Sequence, residues 1–310
     1  MQKLLYICRR NLQNNINSLS MKKFYSLFIA AVLCLQASAV GVFEIPSGSK
    51  IVFAPGNLQY QAGTDTWRFA EHQYDMIGAG NAHIAADYNG WIDLFGWGTG
   101  VNPTLTSQSN DDYAAFSDWG ANAIINGGNE ANLWRTPTKE EWNYLVYSRS
   151  GDSRGSATVN GVHGYIFLPD DWTLPDGVSF NPSPDKWEVN MYSEAEWNIM
   201  EQAGAVFFPA AGVRDGKDVK EVDNQGDYWS ATPSYSAFAL RMEFVQGSTN
   251  TGVYDRYIGR SVRLVRDYDG TEAIGEVPSD QVQCTKMLRD GQLLILRNDK
   301  TYTAQGAVVK

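Results

Sequence analysis

LWRTPTKEEWNYLVYSR, residues 133–149, decides how this chain is read, because it announces a helix unusually clearly. Thr138 and Glu141 have the spacing of a capping box. The hydroxyl accepts from a free N–H of the first turn, and the carboxylate reaches back to the cap's own N–H. Trp142, Leu145 and Val146 then recur at helical spacing, which predicts a helix from Thr138 to about Tyr147 with one apolar stripe. SEAEW, residues 193–197, repeats the signal, with Ser193 and Glu196 as the box and Gly204 as the stop. In each case a tryptophan, Trp142 or Trp197, follows the capping glutamate and is expected in the core.

The two caps lie 55 residues apart, whereas the strand-like runs after them, GYIFLP (164–169) and GAVFFP (204–209), are offset by 40. No single period fits both, so solenoids and propellers are disfavoured and two helices within one domain are expected. Lys50–Phe53 and Thr66–Ala70 read as short strands between Pro and Gly turn signals. Ala237–Phe244 alternates strictly. Phe238, Leu240, Met242 and Phe244 should share a buried face, Arg241 and Glu243 should face water, and SVRLV (261–265) reads as the neighbouring strand. Between about Gly78 and Asn132 the chain is rich in Gly, Asn, Asp and Trp without periodicity, a long loop region of the kind that carries function or packs on aromatics.

The N-terminus reads as an address. Residues 1–39 contain no acidic residue, and residues 21–39, MKKFYSLFIAAVLCLQASA, have the lysines, apolar run and small-x-small triplet of a secretory signal peptide cleaved before Val40. Met1–Ser20 has no recognisable role, which makes Met21 an alternative start. Leu33 stands where a small residue would precede a lipidated Cys34, so a lipoprotein is disfavoured. Loss of the leader removes five basic residues (Lys3, Arg9, Arg10, Lys22, Lys23), leaving 20 basic against 35 acidic, a net charge of −15. That sign argues against a nucleic-acid partner. Only Cys284 survives cleavage, so stability must come from a hydrophobic core rather than an internal disulfide. No other apolar run is long enough to span a membrane.

RTPTKEEWNYLVYSR resembles the Leu-Pro-Thr-x-x-Glu-Trp-Glu-Tyr helix of the formylglycine-generating enzyme family, which has a C-type-lectin-like fold. FAPGNLQY (53–60), WIDLFGWGTG (91–100), ATVNGVHGYIFLPDDW (157–172), FFPAAGVRDG (207–216), DYWSAT (227–232) and GRSVRLVRD (259–267) are similar, in that order, to secreted Bacteroidetes proteins grouped as Fibrobacter succinogenes major paralogous domains. The resemblance implies an α+β, C-type-lectin-like domain over residues 40–268, with two short helices, small antiparallel sheets and long loops. It implies an extracytoplasmic setting and no particular activity. Residues 269–283 read as a linker, and residues 284–310 as a short β tail of the sorting or anchoring kind, with strands at Gln292–Arg297, Thr301–Thr303 and Ala307–Val309 around a turn at Asn298-Asp299.

Several chemistries then fall away. The cysteines that formylglycine generation depends on are missing from residues 40–268, and Tyr228-Trp229 is followed by Ser230-Ala231 where lectins supply calcium ligands. His72, His83 and His163 have no metal-ligand spacing. GWGTG (96–100) leads into Asn102-Pro103 rather than a helix, so it offers no phosphate cradle. No cofactor and no metal are expected. The paired acids Asp111-Asp112 and Asp170-Asp171 read as solvated turns before they read as an acid and base.

An aromatic surface remains. All ten tryptophans fall between Trp67 and Trp229. Trp229 reads as packing, whereas Trp91, Trp97, Trp119 and Trp187 stand in Gly-, Asp- or Pro-rich context and are the candidate ligand-binding rings. The expected function is an exported, non-enzymatic binding module that presents aromatic loops to an extracellular glycan or protein. The alternatives are an extracellular glycan-acting enzyme using loop carboxylates, and a structural cell-surface protein without a small ligand.

Overall fold

A computed structural model describes residues 41–182 and 185–270, together with the backbone of four strands beyond them. The leader, residues 271–283 of the expected linker, Cys284 and the Asn298-Asp299 turn lie outside the described residues.

The body is mixed α+β, with short helices set among small antiparallel sheets. β1 (Val42–Glu44) and β2 (Lys50–Phe53) form a hairpin. β3 (Leu58–Gln61), β4 (Thr66–Phe69) and β5 (Trp91–Ile92) form a second sheet with β3 in the middle. Helix α1 (Lys139–Asn143) follows the long loop region. β6 (Arg154–Val159), β7 (Val162–Phe167), β8 (Met191–Tyr192) and β9 (Val206–Pro209) make a sheet in the order β8-β6-β7-β9, and α2 (Glu194–Gln202) connects its last two strands. The hairpin β10 (Val213–Asp215) and β11 (Asp218–Lys220) precedes the meander β12 (Gln225–Ser234), β13 (Phe238–Val245) and β14 (Ser248–Asp255). β15 (Val265–Asp267) returns to pair with β2, so the two ends of the body meet in one sheet.

Both capping boxes form as the spacing predicts. Thr138 Oγ1 accepts from Glu141 N–H at 3.3 Å and Glu141 Oε2 accepts from Thr138 N–H at 2.7 Å; Ser193 and Glu196 repeat this at 3.3 and 2.8 Å. Glu141 also takes a bidentate contact from Arg135, at 2.9 and 2.7 Å, which raises the Arg135 guanidinium above its ordinary range. α1 is shorter than expected: after Asn143 the backbone widens into a π turn, Tyr144–Ser148. Trp142, Trp197 and Trp229 are fully buried. Trp142 stacks on Phe53 at 5.8 Å between ring centroids and meets Phe208 edge-on at 5.9 Å.

Two strand expectations need correction. SVRLV (261–265) does not lie beside β13. It threads between other elements: Arg260 exchanges both backbone hydrogen bonds with Phe95, Ser261 bonds Asp227 and Trp229, Val262 and Leu264 accept from Leu58 and Ala54, and Val265 pairs with Arg135. Nor does the alternation of β13 hold throughout: Phe238 is exposed rather than buried, and Arg241 does not face water. Arg241 is 6 % exposed, because Asp227 on β12 and Glu243 on β13 draw its guanidinium into an ion-paired cluster.

The threading segment carries four arginines, and each sets its guanidinium over an aromatic ring: Arg256 over Trp97, Arg260 over Trp229, Arg263 over Phe208 and Arg266 over Trp134, at 4.4 to 5.1 Å. Arg263 is fully buried and, among the described residues, has no carboxylate within ion-pair distance. It donates to Asn57 Oδ1 at 3.1 Å and to the backbone carbonyls of Ala54, Gln73 and Phe207 at 3.0, 3.3 and 2.8 Å. Arg256 likewise donates to the carbonyls of Phe238, Tyr113, Ala114 and Tyr235. Most of the carbonyls satisfied by these clamps lie in loops, with Phe207 and Phe238 at strand positions.

The tail consists of four antiparallel strands in sequence order: β16 (Thr285–Arg289), β17 (Gln292–Arg297), β18 (Lys300–Thr303) and β19 (Val308–Val309). The first was not expected from sequence. Among the described residues no helix is long and apolar enough to cross a membrane.

Arg263→Met should cost roughly 3 kcal/mol or more in urea denaturation, because it leaves several buried acceptors unpaired. Arg263→Lys should recover little, since one ammonium cannot span the planar fork. Asp93 supplies a pH signature. Its buried carboxylate accepts from Ile77 N–H and Asn81 Nδ2, and burial pushes it up to about 6 against those bonds. A carboxyl raised in the folded state stabilises at acidic pH, and that contribution is lost as pH rises through the folded value. Wild-type stability measured against Asp93→Asn should therefore fall by about 1 kcal/mol between roughly pH 5 and 7.

Candidate functional site

Of the four candidate loop tryptophans only Trp91 reaches the surface as the sequence suggested. Trp91 is partly exposed, with the Arg68 guanidinium on its face at 3.8 Å. Trp97 and Trp119 are 1 % and 0 % exposed in the cluster around Phe95, and Trp187 is 4 % exposed, stacked on His163 at 5.2 Å. The reason lies in the glycines beside them. A Cβ on Gly96 would meet the Tyr113 ring at 2.2 Å, one on Gly100 the Asp118 carbonyl at 2.5 Å, and one on Gly120 the Trp134 carbonyl at 1.9 Å. Glycine here permits close backbone packing that seals the rings inside, rather than marking exposed turns. Trp97 and Trp119 share one interior cluster, Trp187 lies in another and Trp91 is partly exposed, so the four form no common surface.

What the fold assembles instead is a polar pocket of about 390 Å³ at the outer face of the β12-β13-β14 sheet. Asp227, fully buried on β12, does not line the pocket but pairs with both arginines that do. Arg241 Nε lies 2.9 Å from Asp227 Oδ1, Arg260 Nη1 contacts the same oxygen, and Arg241 Nη2 contacts Glu243. Gln225 Nε2 donates to Asp227 Oδ2 at 2.6 Å. Tyr254, on β14 and 45 % exposed, lies across both guanidiniums, at 4.5 Å from Arg260 and 5.3 Å from Arg241. Gly252, directly across the strand pair from Arg241, places no side chain over it. Glu221 in the wall holds a left-handed backbone, φ 58°, which a non-glycine residue adopts at a cost.

The cluster is close in charge but incomplete in hydrogen bonding. The nitrogens facing Asp227 Oδ1 sit at ion-pair distance without hydrogen-bond alignment, and Arg241 Nη1 and Arg260 Nε have no acceptor among the described residues. Burial pushes the Asp227 carboxyl up, with Arg260 and Arg241 pulling the other way. Burial also brings Arg260 down to about 10, opposed by Asp227. Both shifts have the same cause: charges removed from water whose replacement contacts do not fully compensate. Those unmet atoms are themselves closed to solvent, so a ligand in the cavity meets the accessible wall groups instead, Lys220, Glu221, Gln225 and Tyr254.

The acid pairs do not join this site. Asp111 and Asp112 are exposed, with Asp112 accepting from Ser107, while Asp170 pairs with Arg149 at 2.8 Å. Among the described residues no three His, Cys, Asp or Glu side chains come together as a metal site. The sequence reading missed Asp227, Arg241, Tyr254 and Arg260 as a group. The available signal was a charged residue set between large apolar ones, Arg241 between Leu240 and Met242, and Asp227 immediately before Tyr228-Trp229. Their convergence from positions 227, 241, 254 and 260 depends on the tertiary fold.

Compared with known proteins, the chain matches no family model, no curated protein and no solved structure.

Asp227→Asn should destabilise by roughly 3–5 kcal/mol, because it leaves two buried guanidiniums without their counter-charge. Chemical denaturation checks this, and Asp227→Asn combined with Arg241→Met should recover part of the loss, as coupled sites do.

Proposed function

We propose that this chain is an exported binding module whose body is a C-type-lectin-like domain of the Fibrobacter succinogenes major paralogous type, and that it takes a neutral glycan in the Tyr254 pocket. The ordered motifs from FAPGNLQY to GRSVRLVRD support the family. So does the meeting of the first and last strands of the body in one sheet. The signal-like residues 21–39 support export.

One observation carries the ligand class: an exposed tyrosine ring, packed on two buried arginines, borders a pocket walled by amide and charged groups of both signs. A sugar face stacks on such a ring, and its hydroxyls accept from ammonium or amide N–H of the pocket wall while donating to carboxylate or amide oxygen. Around the cavity Arg241, Arg260 and Lys220 face Asp215, Glu221 and Glu243, a near balance that suits a neutral polyhydroxyl ligand better than an ion. Binding is favoured over hydrolysis because Asp227 and Glu243 are each committed to guanidinium, so neither is poised to exchange a proton with substrate.

The test is a glycan array with the mature chain, followed by titration of a neutral oligosaccharide that it retains. Tyr254→Ala should weaken binding about 2- to 12-fold or more, from roughly 0.5–1.5 kcal/mol of ring stacking. Tyr254→Phe should bind nearly as well, and chelator should have no effect. Binding that survives Tyr254→Ala but is lost in Trp91→Ala would move the site to the one candidate tryptophan that remains partly exposed.

A further inference from the structure

A second cavity, of about 540 Å³, shares no lining residue with the Tyr254 pocket. Its surface is mostly apolar: Phe69 and Trp134 are buried at its base, Leu133 lines it, and Ile125 stands 53 % exposed at its mouth. The size and character are those of small-molecule sites. The wall loop is built for this shape. Gly127 leaves no room for a side chain, since a Cβ there would lie 2.5 Å from the Phe69 ring, and Trp134 Nε1 donates to its carbonyl at 2.7 Å. Asn129 and Asn132, just beyond, hold left-handed backbone at φ 53° and 64°.

The polar groups of the cleft narrow the occupant. β4 is an outer strand of its sheet, yet its edge here is closed. Asn126 accepts from Phe69 N–H at 2.7 Å and donates to Phe69 C=O at 2.9 Å, and Ile125 N–H takes the Trp67 carbonyl at 3.0 Å. A peptide strand would find no free backbone ladder, so an extended polypeptide is disfavoured. The charges lining the cleft are Arg68 and Arg266 against a single carboxylate, Glu71, in a chain whose formal net charge is −10. Arg68 is oriented by the Trp91 face and by Nε donating to Gln59 at 2.8 Å. Burial lowers it from its ordinary value, with Glu71 and Asp75 opposing, so this guanidinium has lost water that an anionic group could replace.

We infer that this cleft binds a small amphiphile, an aliphatic or aromatic chain seated against Phe69, Leu133, Trp134 and Ile125 with a carboxylate or similar anionic head at Arg68. Neutral apolar molecules satisfy the base of the cleft but not its rim. Free anions satisfy the rim but not the base.

The probe is 8-anilinonaphthalene-1-sulfonate, an aromatic anion, titrated into the folded mature chain by fluorescence and calorimetry. One saturable site is expected, competed by decanoate and about tenfold or more less well by decanol. Ile125→Asp changes an exposed position and should weaken the probe at least about tenfold with little change in thermal unfolding; Arg68→Gln should do the same for anions while sparing decanol. Tyr254→Ala should leave probe binding unchanged, so success or failure here is independent of the glycan site. Absence of a saturable site, equal competition by decanol, or affinity indifferent to both substitutions would overturn the inference. Probe binding confined to a monomer that otherwise elutes at twice its mass would overturn it too, by making a second copy of the chain the occupant.

Discussion

The body depends on one short segment, Arg256 to Arg266, running through its interior as a stitched thread that joins a sheet only at its end, where β15 pairs with β2. Its backbone bonds in turn to Arg214, Phe95, Asp227, Leu58, Ala54 and Arg135, which lie in segments distant along the chain. Its arginines do what backbone alone cannot. A guanidinium is planar, permanently charged and multiply donating, so one side chain satisfies several loop carbonyls at once while its flat face packs on a ring. Arg263 and Arg256 act through carbonyls, and Arg214 performs the same service from β10 toward Leu94, Leu105 and Gly216. Long irregular loops thereby become as determined as sheet, because their polar groups have defined partners.

Arg260 is the member of the thread that leaves this pattern. It faces Asp227 and shares Tyr254 with Arg241, and the resulting cluster retains unmet donors. Burial of several charges at incomplete hydrogen bonding works against stability, since each has given up hydration worth several kcal/mol. The contrast with Arg263 is instructive. The same residue type, three positions earlier in the segment, serves packing in one case and borders an open cavity in the other. The two pockets divide along similar lines: one polar and ringed by balanced charge, the other apolar with a cationic rim.

The helices were legible because their signals are local. A capping box joins groups three residues apart, and an apolar stripe repeats within two turns, so Thr138, Glu141, Ser193 and Glu196 could be assigned their partners directly. Trp142 and Trp197 followed from their place on that stripe. The π turn after Asn143 carries no comparable local signature, and neither does β16 in the tail. Tryptophan in the loops was misread for a related reason: glycine near an aromatic residue looks the same in sequence whether it opens a turn or lets two chains approach.

By itself, then, the sequence determined the α+β class, the helix starts, the buried tryptophans on the helices and the presence of a strand over about 237–244, because each rests on spacing within a few residues. The tertiary structure alone decided that Trp97, Trp119 and Trp187 are interior, that Arg241 turns inward, and that Asp227, Arg241, Tyr254 and Arg260 meet. These outcomes are set by which distant surfaces close over a side chain and which opposite charge waits there. Neither quantity has a period along the chain, so pattern reading could name the residues without revealing that they face one another.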